Sequence, residues 1–76
     1  MNTTYARPTR YDIEAIRAVE HILEESGAPA LDGDLEAMGI GEQALASCDQ
    51  RGWLTKIGGE FHLTEAGRKT AEHWGR

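Results

Sequence analysis

Hydrophobic positions along this chain recur at two different periods, and the change of period divides it into elements. In YDIEAIRAVEHILEES the apolar residues Ile13, Ile16, Val19, Ile22 and Leu23 fall three and four apart, which predicts a helix over roughly residues 10–26 with one buried stripe. Thr9 is placed to cap it, Asp12 stands three residues on as in a capping box, and Gly27 followed by Pro29 ends it. The opposite face carries Glu14, Glu20, Glu24 and Glu25, so this helix shows acid to solvent. ALDGDLEAMGIGEQALASCDQRG divides at its MGIG turn, where Gly39 can take the left-handed conformation and Gly41 can cap the next helix. Leu35 and Met38 then form the inner side of a short second helix, and Ile40 plugs the turn. A third helix runs from Glu42 to Arg51 with Leu45 and Cys48 inward, and Gly52 closes it.

The period then shortens to two. WLTKI and EFHLT are β-prone runs joined by Gly58-Gly59, a link that suits a two-residue hairpin because both central positions need positive φ. That turn sets a register of Ile57 opposite Glu60, Lys56 opposite Phe61, Thr55 opposite His62 and Leu54 opposite Leu63. One face holds Leu54, Phe61 and Leu63 with Lys56 at its edge; the other holds Trp53, Thr55, Ile57, Glu60 and His62. Thr64 caps a last helix in which Gly67, Thr70, Ala71 and Trp74 share a side. The expected core joins Leu54, Phe61 and Leu63 to Ile16, Leu23 and Leu45.

The order helix, helix, glycine turn, helix, strand, strand, helix resembles the winged helix-turn-helix family. An ALxxL-like helix runs to a glycine and two apolar residues (Ala44, Leu45, Cys48, Gly52, Trp53, Leu54), and a second strand ends in LTxxG (Leu63, Thr64, Gly67). The resemblance, over roughly residues 10–74, implies a mainly α fold with a two-stranded β-hairpin; residues 1–9, with no hydrophobic period and with Pro8, read as a flexible arm before a domain over residues 10–76. The resemblance also implies, for members that bind DNA, a third helix in the major groove with the hairpin reaching toward the backbone. Carried onto this chain, the DNA-facing positions are Gln43, Ser47, Gln50 and Arg51 on that helix, Lys56 on the hairpin, and Arg7 and Arg10 before the first helix.

Charge changes this picture. Thirteen Asp and Glu face eight Lys and Arg, for a net charge of −5. Residues 11–40 hold eight of those acids against one cation, Arg17. The outward side of the third helix offers Glu42 and Asp49 beside a single arginine, and the hairpin tip has no basic residue. Duplex binding depends on cations that displace counterions from several phosphates, a contribution this surface lacks. The expectation is therefore an acidic, non-catalytic module that binds a protein, as a regulator or inhibitor of the kind carried by phages and mobile elements, and that can occupy a partner's nucleic-acid groove. The alternative is a dimeric transcription regulator that binds duplex DNA through the third helix and the arm.

Trp53, Ile57 and His62 on the outer hairpin face are the candidate anchors for a protein partner or a second copy, with Glu20 and Glu24 steering the encounter. The competing explanation for Trp53 is that it covers the end of the third or first helix. Cys48 holds an inward helical slot with no histidine near it in sequence, so a small buried hydrophobe is its expected role rather than a nucleophile. One cysteine and the scattered His21, His62 and His73 suggest neither a disulfide nor a metal site, and no cofactor is expected. With Met1 first, no signal-peptide pattern and no apolar run of membrane-spanning length, a cytoplasmic protein is expected.

Overall fold

The structure, a computed structural model, describes residues 7–75; most of the expected N-terminal arm, residues 1–6, lies outside the described residues. The chain is mainly helical and carries a small antiparallel sheet: α1 (Arg10–Ser26), β1 (Ala30–Leu31), α2 (Asp32–Ala37), α3 (Glu42–Gln50), β2 (Leu54–Ile57), β3 (Glu60–Leu63) and α4 (Glu65–Trp74). The sheet has three strands in the order β1-β3-β2, not the two expected. β1 escapes a sequence reading because two residues between Pro29 and Asp32 have no period to detect. It exists through long-range pairing, Ala30 with Phe61 and Leu31 with Glu60.

Local chemistry fixes the element ends. The Thr9 hydroxyl accepts the Asp12 N–H at 3.1 Å and the Asp12 carboxylate accepts the Thr9 N–H at 2.9 Å, a reciprocal cap on α1. The hairpin adopts the register set by Gly58-Gly59, from Ile57 opposite Glu60 to Leu54 opposite Leu63. The Thr64 hydroxyl accepts the Gly67 N–H at 2.9 Å and turns its own hydrogen toward the carbonyls of Gly52 and Trp53, tying the start of α4 to the start of the hairpin. There α4 comes so close that a Cβ on Gly67 would stand 2.0 Å from the Trp53 carbonyl oxygen. Across the domain, the Arg17 guanidinium on α1 donates to the carbonyls of Ala71 (3.4 Å) and Gly75 (3.0 Å), a cation at the carbonyl end of α4.

The core joins Ile16 and Val19 of α1 to Leu35, Leu45, Cys48, Leu54 and Phe61, and Leu63 packs half-buried against it. Two expected inward residues, Leu23 and Met38, are exposed instead, and so is Trp74, expected to share a side with Gly67 and Ala71. Leu23 lies on the buried stripe by rotation but is 42% exposed, because the last turn of α1 runs past the end of the core. Met38 is exposed because α2 stops at Ala37, which leaves it in the turn. Trp74 is exposed at the end of α4, where Arg7 lies 4.8 Å from its ring and His73 meets it edge-on.

Candidate functional site

α3 presents three stripes, and each meets a different neighbour. Leu45 and Cys48 point into the core. Gln43, Ser47 and Arg51, at four-residue spacing, line a hollow of about 380 Å³ with Thr9 and Tyr11 from the start of α1. Glu42, Ala46 and Asp49, at spacings of four and three, line a larger open groove of about 590 Å³. α2 forms its second wall with Asp32 and Glu36, which are four apart and so share a side of that short helix. Ile40, Leu45 and Phe61 form its apolar floor, and Lys56 lines it above the Phe61 ring.

The charges in this groove are unbalanced. Lys56 is the only cation among the described residues that line it and is already held, 3.1 Å from Asp32 and 5.3 Å from the Phe61 ring centre. No ion pair among the described residues reaches Glu36, Glu42 or Asp49. Glu42, in the first turn of α3, is favoured there by the exposed N–H groups of the helix. Asp49 and Glu36 have no such support. Each sits at the carbonyl end of its helix, where a negative charge costs on the order of 0.3–1 kcal/mol. Fold stability therefore does not account for them. Among the described residues no group of three His, Cys, Asp or Glu side chains is arranged to hold a metal ion.

The hairpin patch expected from the alternation does not assemble. Trp53 is 7% exposed and belongs to the core cluster, whereas Ile57 is 60% exposed. Alternation fails at Trp53 because β2 begins one residue later, and α4 crosses at that point with Gly67 against the Trp53 backbone. Arg51 closes over its ring at 5.1 Å, so Trp53 covers the end of α3 and is not part of an exposed hairpin patch. Pairing across the sheet instead puts Leu31, Glu60 and Ile57 in one row, with Leu31 and Ile57 exposed. His62, two residues along from Glu60 and partly exposed, stands 3.4 Å from its carboxylate. On α1, Glu24 is exposed and Glu20 half-buried.

Of the residues expected to meet DNA, Gln43 and Gln50 are exposed and Ser47 is half-buried. The cations are dispersed: Arg7 lies over Trp74, Arg10 over Tyr11, Arg51 over Trp53, and Lys56 pairs with Asp32. The groove acids Asp32, Glu36, Glu42 and Asp49 were not foreseen as a set. Their signal in the sequence is carboxylates at helical spacing that persist into the last turn of two consecutive helices.

Cys48 is fully buried and its thiol points at Asp12, 3.5 Å from the carbonyl oxygen and 3.9 Å from Oδ1. Asp12 is itself 2% exposed, a burial that its role as a surface cap does not announce. Burial first, and the Asp12 charge second, push the thiol up from its ordinary 9.0 to about 12. It will not react with a thiol reagent in the native protein at neutral pH. The unfolded chain ionises this thiol near pH 9, whereas the folded chain keeps it neutral to about 12, so its contribution to stability is complete below 9 and declines between those values. Urea melts across that range should show the decline, and Cys48→Ala should flatten it.

No family model, no curated protein and no solved structure matches this chain. No helix among the described residues is long and apolar enough to cross a membrane.

Proposed function

We propose that this chain is a non-catalytic binding module of winged-helix type whose α3 surface serves a protein partner rather than duplex DNA. The order of elements, the glycine turn between α2 and α3, and the Thr64 and Gly67 contacts that lock α4 to the hairpin all support the winged-helix reading. The observation that carries the function is the charge beside α3. In this architecture the recognition helix and hairpin would straddle a nucleic-acid backbone, and here the space between them is lined by four carboxylates and one lysine already in an ion pair. Phosphates entering it would meet repulsion where a DNA-binding protein supplies counterion-displacing cations. A regulator or inhibitor that engages the positively charged surface of a nucleic-acid-binding protein fits this electrostatics.

The alternative, operator binding by a dimer, draws its support from the Gln43, Ser47 and Arg51 stripe, whose side chains are of the types that read base edges. The two readings separate in a salt series with labelled duplex. On the protein-binding reading, random duplex binds more weakly than about 10⁻⁴ M at physiological salt. Tight binding to a selected duplex, lost on Gln43→Ala or Arg51→Ala, would replace this reading with the alternative.

A further inference from the structure

We infer that the groove between α2, α3 and the hairpin docks a lysine- or arginine-bearing segment of a partner protein, with an apolar side chain seated between its acidic walls. This rests on the protein-binding reading and names the site and the partner chemistry. Its volume of about 590 Å³ lies in the range of roughly 300–1,000 Å³ typical of sites that enclose a small group, room for one or two side chains rather than a whole helix.

Charge selects the occupant. Glu36 and Asp49 sit at helix ends that disfavour them, neither is ion-paired among the described residues, and they line the groove from different helices. A cationic segment laid between them would relieve both placements at once, which gives these acids a purpose that the isolated fold does not. Between Glu42 and Asp49 the wall drops to the single methyl of Ala46, which is exposed and opens the way to a floor containing Leu45 and Phe61. An aliphatic or aromatic side chain flanked by cations matches that profile: the apolar group excludes water at the centre and the cations meet the rim. A second copy of this chain fits poorly, because the chain is acidic overall, with thirteen Asp and Glu against eight Lys and Arg. The apolar row of Leu31 and Ile57 carries no comparable charge pattern to select an occupant.

The test is an amide NMR titration with the peptide acetyl-Lys-Lys-Leu-Lys-Lys-amide, using the same peptide with glutamates for lysines as control. Saturable shifts at Gly41, Ala46, Asp49 and Phe61, absent with the acidic peptide and weakened by salt, are expected. Glu36→Gln with Asp49→Asn should weaken binding by roughly tenfold. That variant removes two unfavourably placed charges, so its melting temperature should hold or rise, which separates lost docking from lost folding. Shifts confined to Leu31, Glu60 and Ile57, or to the acids of α1, with the neutralised variant unaffected, would overturn the groove while leaving protein binding standing. Absence of any shift at millimolar peptide would also overturn it. A duplex that displaces the peptide from the groove at physiological salt would overturn the protein-binding reading itself.

Discussion

Gly67→Ala will destabilise this domain by about 2 kcal/mol, although alanine is the better helix former by about 1 kcal/mol. The reason is that the added methyl has nowhere to go. It would stand 2.0 Å from the Trp53 carbonyl oxygen and 3.1 Å from Leu63 Cδ1, and the nearer obstacle is backbone, which cannot rotate aside. α4 must lift from the hairpin, which strains the Thr64 contacts to Gly52 and Trp53 and opens the cover over Trp53. For a domain of this size such a loss lowers the melting temperature by roughly 10 °C. Gly33→Ala is the internal control: it lies in α2 with nothing within 4 Å of the new methyl, so the helix preference acts alone and stability should rise by up to about 1 kcal/mol. Thermal melts monitored by circular dichroism distinguish the two signs.

The features legible in the sequence are those that depend on neighbours in sequence. The α1 cap needs only Thr9 and Asp12, the hairpin register needs only the length and φ demands of Gly58-Gly59, and the start of α4 needs only Thr64 and Gly67. Each is settled within a few residues, so chemistry at that range predicts it. β1, the burial of Trp53 and the burial of Asp12 depend on partners far along the chain: Phe61 and Glu60 for β1, α4 for Trp53, and Cys48 for Asp12. A two-residue strand has no period, and alternation assigns a face without saying what later helix covers it.

The same division applies to the candidate site. The sequence shows that α2 and α3 are acidic, but it does not place Asp32 and Glu36 across from Glu42 and Asp49. That arrangement depends on the Met38–Gly41 turn, where Gly39 takes a φ of +82° and Ile40 packs against the core. The expected hairpin anchor fails for a related reason. Ile57 remains available on the outer sheet face, but the aromatic that was to accompany it lies in the core.

On the proposed reading the α3 surface repels phosphate and attracts cationic protein, and reversing its charge should exchange those preferences. In Glu42→Lys with Asp49→Lys, two exposed carboxylates on one wall become cations and the net charge moves from −5 to −1. The change reverses the sign of that wall. Labelled random duplex and the lysine-leucine peptide should each be titrated against wild type and variant at one physiological salt concentration. The expected result is an exchange of preference: duplex affinity rises at least tenfold, from weaker than about 10⁻⁴ M into the range of roughly 10⁻⁴ to 10⁻⁶ M common for non-specific binders, while peptide binding falls by a similar factor. Wild-type protein that already binds duplex in that range, with an affinity the reversal leaves unchanged, would contradict the account.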